Sequence, residues 1–383
     1  MKKIILATDS FKGSLSSIEI IDELAASVMR KWGKQNIVKV PVADGGEGTM
    51  EALVIATGGV YRDAEVTDSY GERRSVRYGL IHGDTAVIEM AAIEGLGLLD
   101  PERLDPLMAS SRSLGELIIK ALDDGIRKIM IGIGGSASND GGMGMLSALG
   151  MRFFSGGELL YGRGSDLEKV DDIDVSTLDK RLGEASISVI CDVTNPLLGK
   201  NGATYIYGRQ KGAVDEIADR LEEGMTNYAG VFMKKLDTDI VTMSGAGAAG
   251  GVGAALGCVL GAQILRGIDA ILDIVGFDRL IENADLVVTG EGRLDLQSVR
   301  FGKVPAGIAK RCEKKGIPVA IIVGSLGKGW EEIYGVANCS VITTVDAPMS
   351  LDKAMKNTHQ LLSSAADRMF SMIGLLNGLN IRA

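Results

Sequence analysis

Cysteine and histidine are scarce in this chain. The four cysteines (Cys191, Cys258, Cys312 and Cys339) stand far apart without a CxxC pair, which excludes a disulfide framework and a cysteine-rich metal centre. Two histidines, His82 and His359, are too few for a His-rich metal site. They do not exclude a Ser-His-Asp hydrolase, but a lone histidine is more often a surface or packing residue. Positive charge is in deficit: 41 Lys and Arg against 50 Asp and Glu give a net charge of −9. This argues against a nucleic-acid or anionic-membrane surface while leaving room for a local basic pocket. Aromatic residues make up only 4%. The N-terminus (Met1-Lys2-Lys3-Ile4) shows no signal-peptide cleavage pattern, so a reducing cytoplasm is the expected location.

Long hydrophobic runs are also lacking, with one segment to weigh. No charge appears from Ile240 to Leu265, where Gly253, Gly257 and Gly261 form GxxxGxxxG, the small-residue face of membrane helix dimers. The segment is too rich in Gly and Ala, and too poor in interfacial Trp, Tyr, Lys and Arg, to read as a membrane span. It reads instead as a buried Gly/Ala-rich helix that lets a neighbour pack closely. Glycine is abundant: 52 of 383 residues, roughly twice the ordinary share. Without repeats, this suggests many tight loops where backbone approaches a ligand. At 46% hydrophobic and 24% charged, the chain is an ordinary globular protein of two or three domains.

Read in order, Lys3–Asp9 is an apolar strand. A helix follows through Trp32, with Ser16 and Glu19 spaced as a capping box. Ile37–Ala43 is a second strand, then a glycine loop and a helix through Ala56. Residues Val60–Met90 alternate with turns as antiparallel strands do. Leu114–Asp124 reads as a helix. Lys128–Ile133, Ile187–Val193, Asp285–Thr289, Pro318–Val323 and Val341–Val345 read as further strands. The expected fold is α/β. A discontinuous doubly wound, mainly parallel Rossmann-like domain (1–58 plus 276–383) carries an inserted mixed α/β domain (59–275).

Five strand ends are alike in being small, Gly-rich and acidic. They are Asp9–Ser14, Asp44–Thr49, Gly134–Gly142, Asp192–Gly199 and Gly290–Asp295. Backbone N–H groups in such loops close on phosphate oxygens. Carboxylates there would repel phosphate unless a divalent cation sat between them, so the set points to Mg-nucleotide chemistry. Standard fingerprints fail. Gly245-x-Gly247-x-x-Gly250 with Asp269 matches the dinucleotide pattern, but Asp269 falls in a helical stretch rather than at a strand end. Gly327-Lys328, Gly302-Lys303 and Gly199-Lys200 lack the leading glycine and the Ser/Thr of a P-loop.

Seven segments resemble the bacterial glycerate kinase family of the glycerate kinase I fold. They are Asp9–Leu15 (DSFKGSL), Ala43–Thr49 (ADGGEGT), Gly134–Gly142 (GGSASNDGG), Cys191–Leu197 (CDVTNPL), Gln210–Ala213 (QKGA), Gly245–Gly251 (GAGAAGG) and Thr289–Asp295 (TGEGRLD). The match runs in order over nearly the whole chain. It departs at Ser138, where the family usually has Thr, and at Tyr207-Gly208-Arg209, where it usually has Phe-Gly-Pro. The resemblance implies ATP-dependent phosphorylation of D-glycerate in glucarate, galactarate or glyoxylate breakdown, with position 2 favoured and a 3-phosphate product as the alternative. The acidic charge balance is against a nucleic-acid or membrane partner, and a homodimer stays open. A non-catalytic nucleotide or sugar-acid binding protein stays open as the rival class.

Phosphoryl transfer needs positioning and charge neutralisation. Lys12, in a Gly/Ser loop after the first strand, is expected to neutralise the transferring phosphate, with a solvated lysine as the rival reading. Asp44 and Glu47, with Glu291, are the expected Mg²⁺ ligands; helix capping is the rival role for the first two. Ser136, Ser138 and Asn139 offer donors to a small polyhydroxy acid, and Asp140 an acceptor. Lys211, Arg293 and Lys303 would hold a carboxylate or phosphate. Asp192, at a strand end, is the expected base for the glycerate hydroxyl, with Asp295 and Glu291 as rivals.

Overall fold

The computed structural model describes residues 3–378. The chain folds as two compact units. The first takes the chain up to Asp44, the segment Glu51–Thr57, and the segment that starts at Gly267. The second takes Gly45–Met50 and Gly58–Arg266.

The first unit is built on a parallel sheet of five strands. Across the sheet they run Ile37–Lys39, Ile4–Leu6, Leu286–Leu294, Val319–Leu326 and Cys339–Thr343. Numbered along the chain this is order 2-1-3-4-5, a doubly wound arrangement whose growth reverses between the first and third strands. Ile4, Ile5 and Leu6 are fully buried, as expected for a strand covered on both faces. The helix Ser17–Trp32 buries Ile20, Ile21, Leu24 and Val28. Its start is a capping box: Ser16 Oγ accepts from the Glu19 N–H, and Glu19 Oε2 accepts from the Ser16 N–H. That satisfies two backbone donors the helix cannot satisfy itself. It packs on the helix Thr358–Gly378, with Trp32 and Phe370 edge to face at 5.1 Å. The Trp32 indole donates to the Phe370 carbonyl, so its polar edge is not buried unpaired.

The second unit holds a six-stranded mixed sheet in the order Gln263–Leu265, Ser186–Ile190, Lys128–Gly132, Thr85–Glu89, Arg73–Ile81, Val60–Thr67. The first four are parallel and the last three form the antiparallel meander. Glu158–Leu159, Arg152–Ser155 and Asp172–Asp174 make a small separate sheet. The core of this unit is largely aliphatic around Tyr78, Phe153, Tyr228 and Phe232.

The structure corrects three expectations. The second strand stops at Lys39 rather than Ala43. The strand expected over Asp285–Thr289 continues to Leu294, carrying Glu291 and Arg293 on extended backbone rather than in a loop. The charge-free segment is not one buried helix. It breaks into Ala248–Gly251, Val252–Ala254, a wide turn at Ala255–Val259 and the strand Gln263–Leu265. Gly250 shows why: its φ is +67°, and a Cβ there would lie 2.3 Å from the Ser138 carbonyl and 2.7 Å from Asn139 Cα. Glycine here allows close packing between loops at the expense of helix. Among the described residues, no helix is long and apolar enough to cross a membrane.

Candidate active site

In doubly wound sheets, ligands bind beyond the carboxyl ends of the strands at the point where strand order reverses. In the first unit that point lies between Ile4–Leu6 and Leu286–Leu294, which are paired. The Asp9 N–H donates to the Gly290 carbonyl at 2.9 Å, so the chain leaves the first strand still attached to the third. A cavity of about 940 Å³ opens there, within the size range of ligand sites. Asp9, Lys12, Asp44, Glu291, Arg293, Asp295 and Lys303 line it.

The electrostatics are those of crowded acids around one ammonium. Asp9 is 4% exposed and Glu291 6%. Burial, reinforced by the charge of Asp44, pushes Asp9 up to about 7, against the opposing pull of Lys12. Burial pushes Glu291 up to about 8, and the charges of Asp9 and Asp44 add to it. Lys12 Nζ donates to Asp44 Oδ2 at 3.2 Å. Burial lowers the Lys12 value, but Asp44, Asp9 and Glu291 outweigh it and hold the ammonium above its usual value. The side chain is still 58% exposed, so its charge faces the cavity.

The residues fit a divalent cation on two observations. Glu291 Oε1 is buried without a hydrogen-bond partner, an arrangement that costs free energy unless something fills it. The charges of Asp9 and Asp44 also disfavour the ionised form of Glu291, a conflict that a cation removes. Among the described residues no group of three or more His, Cys, Asp or Glu is arranged as a metal cage. Mg²⁺ does not require one, since it takes one or two carboxylates plus substrate oxygens.

The raised carboxyls set a pH dependence. Natively Asp9 and Glu291 hold protons to about pH 7 and 8, whereas unfolded carboxyls release theirs near 4. The native state therefore binds more protons across that window, and stability falls as pH rises through it. The slope reaches about 1.4 kcal/mol per pH unit for each group. In chelator-treated protein, Tm is expected to drop between pH 5 and pH 8, and Asp9→Asn should flatten the drop. An equal slope in the variant would contradict this origin.

Asp295 has an additional duty: its Oδ1 caps the helix Leu296–Arg300 by accepting from the Gln297 and Ser298 N–H groups. Arg293 Nε lies 3.6 Å from Asp295 Oδ2. Gly327 packs against both, since a Cβ there would be 2.5 Å from Asp295 Cβ.

The remaining sequence candidates belong to the second unit. Glu47 is exposed in the loop Gly45–Met50. The capping role considered for it falls to Glu89, which is buried and accepts from the Gly48 and Met50 N–H groups at 3.0 and 2.9 Å. The loop Gly134–Gly142 carries a dense polar cluster. Lys211 Nζ donates to Ser136 Oγ at 3.0 Å and to the Ser138 carbonyl at 2.5 Å. Ser138 Oγ donates to Glu94 Oε1, and Asn139 Nδ2 donates to Thr204 Oγ1. Asp140 accepts from the Ser111 N–H and Oγ and from the Gly142 and Gly144 N–H groups, so it anchors its own loop. All of these are buried. Burial brings Lys211 down to about 8, opposed by Glu94 and Asp140. Burial, helped by Asp140, drives Glu94 well up.

Asp192 follows the strand Ser186–Ile190 and is half-buried. The next turn is braced: Asn195 Nδ2 donates to the Asn201 carbonyl, Tyr207 OH to Asn195 Oδ1, and the Gly247 N–H to the Asn195 carbonyl. Burial raises the neighbouring Cys191 thiol to about 11, so it is no thiolate nucleophile. Asp9, Glu89 and Glu94 are not among the residues that the sequence singles out. Asp9 opens the DSFKGS loop and is legible as an acid at a strand end. Glu89 and Glu94 carry no signal beyond being acids in an apolar stretch.

The glycerate kinase family model matches residues 4–374. A glycerate 2-kinase of Escherichia coli K12 is 43% identical over 97% of this chain and 98% of its own. A glycerate kinase of Bacillus cereus is 41% identical over 95% and 96%. A crystal structure from Salmonella typhimurium LT2, provisionally described as glycerate kinase 2, superposes with a TM-score of 0.84 at 41% identity and covers both chains completely. On these matches the chain belongs to the glycerate kinase family.

Proposed function

We propose that the chain is a kinase that transfers the γ-phosphoryl group of ATP to D-glycerate in the presence of Mg²⁺ and forms 2-phospho-D-glycerate. The observation that carries this reading is the buried acid pair Asp9 and Glu291 beside Lys12 and Asp44, at the reversal of strand order. When bound, Mg²⁺ supplies neutralisation of the charge that gathers on the transferring phosphoryl group. Asp9, Asp44 and Glu291 are its proposed holders. Lys12 stabilises the developing phosphoryl charge, and Arg293 and Lys303 hold the remaining phosphate oxygens.

The acceptor is held by the loop Gly134–Gly142. Ser136 Oγ accepts from Lys211, which leaves its O–H as a donor toward a carboxylate or hydroxyl oxygen. Lys211 and Glu94 fix that loop from within. Asp192 is the proposed base that takes the hydroxyl proton. Position 2 is supported by the name of the Escherichia coli relative.

The test is to feed the product to enolase without a mutase. Direct conversion is expected, because only the 2-phosphate is an enolase substrate. Conversion that requires added mutase would assign the 3-phosphate instead.

A further inference from the structure

The cavity of the first unit has a second end that the phosphoryl chemistry leaves unused. Leu351, Ala354 and Met355 line it at helical spacing, joined by Leu326, Val345 and Met349. The helix Leu351–Lys356 therefore turns its apolar stripe to the cavity, with Asp352, Lys353 and Lys356 exposed away from the core. An apolar helix stripe ordinarily packs on protein. Here Leu351 is 74% exposed, and Met355 and Leu326 are 37% exposed each.

This apolar end adjoins the charged one. Met355 Cε lies 3.0 Å from where a Gly13 Cβ would stand. Gly13 follows Lys12, whose ammonium sits among Asp9, Asp44 and Glu291. One continuous cavity thus runs from an aliphatic end, past Lys12, to Arg293 and Lys303. An occupant that matches both ends carries a planar, weakly polar ring system at one end and a polyanion at the other. That charge and polarity pattern is the pattern of a nucleoside polyphosphate.

We propose that the slot formed by Leu326, Val345, Met349, Leu351, Ala354 and Met355 is the nucleobase subsite of this cavity, with the phosphate chain running toward Lys12. The proposal rests on the ATP-dependent reading and deepens it by assigning the nucleotide, rather than the sugar acid, to this cavity. The long, unbranched Met349 and Met355 side chains can adapt to a ring face. The slot supplies shape and apolar area, so it contributes to the affinity of the base and not to that of the phosphates.

Two uncharged variants test this. Ala354→Phe fills the slot, and Leu351→Asn combined with Met355→Gln makes it polar. The changed positions are at least partly exposed, and a melting curve checks folding. The probes are ADP and inorganic tripolyphosphate, titrated by calorimetry with Mg²⁺ present. Each variant is expected to raise the Kd of ADP about 10-fold or more, while tripolyphosphate stays within about twofold of wild type. The KM for ATP should rise in parallel, with the KM for glycerate moving less than twofold. ADP affinity unchanged in both variants overturns the proposal, as does equal weakening of ADP and tripolyphosphate. In either case a wild-type protein that still turns over ATP with D-glycerate keeps the kinase reading. A wild-type protein that neither turns over ATP nor binds ADP removes both.

Discussion

Replacing Lys12 by methionine is expected to lower kcat by about 10³-fold. Lys12 is the cation whose ammonium is held charged by Asp44, Asp9 and Glu291 while more than half its side chain stays open to the cavity. A fixed positive charge in a partly desolvated cleft matters most where negative charge develops, which is the transition state of phosphoryl transfer. Methionine keeps the length and apolar stem and removes the charge. The change also removes the ammonium that Asp44, Asp9 and Glu291 share. A divalent cation should therefore stabilise the variant against heat at least as well as it stabilises wild type. Steady-state kinetics at saturating substrates give the first number, and melting with and without Mg²⁺ gives the second. A kcat within tenfold of wild type would show that Lys12 is a solvated surface lysine.

Replacing Asp192 by asparagine is expected to lower kcat of order 10²-fold or more, with glycerate and ATP affinities changed little. The residue follows the strand Ser186–Ile190 and stands before a turn braced by Asn195, Asn201, Tyr207 and Gly247. A base must be held in place, and this turn does so with side chains and backbone together. Asparagine preserves size and polarity but cannot accept the proton. If Asp192 held the metal instead, the loss would shrink as Mg²⁺ is raised. If it only capped the turn, Tm would fall while kcat stayed near wild type. An unchanged kcat would remove Asp192 from the mechanism and make Asp295 the next residue to test, although its Oδ1 already serves the helix Leu296–Arg300.

The parallel strands are legible in the sequence because buried strands of α/β sheets read as short apolar runs, and Lys3–Asp9 and Pro318–Val323 are such runs. The helix Ser17–Trp32 is legible from its capping box and its stripe of apolar residues. The extension of the third strand through Gly290–Leu294 is not, because Gly-Glu-Gly-Arg has the composition of a turn. Only the parallel pairing with Val319–Leu326 makes it extended. The break of the Gly/Ala segment is hidden for the opposite reason. Alanine favours helix locally, and the requirement that overrides it is the approach of Gly250 to the Ser138 and Asn139 backbone, more than a hundred residues away in sequence.

For the site, spacing located the loops, and the structure adds partners. Asp140 and Asp295 look like chemistry in the sequence and accept backbone N–H groups in the structure. Lys211 looks like a ligand clamp and is engaged with Ser136 and Ser138. Asp9 and Glu291 owe their raised proton affinities to burial, which follows from two strands pairing across most of the chain's length. No local pattern encodes that.

A kinase of this kind couples ATP turnover to D-glycerate and a divalent cation. The most direct measurement is ADP release by the purified protein, with ATP, D-glycerate and a divalent cation supplied together and each omitted in turn. ADP formation, with stoichiometric phosphoglycerate, is expected only when all three are present. ADP release no higher with D-glycerate than with ATP alone, across several divalent cations, would contradict it.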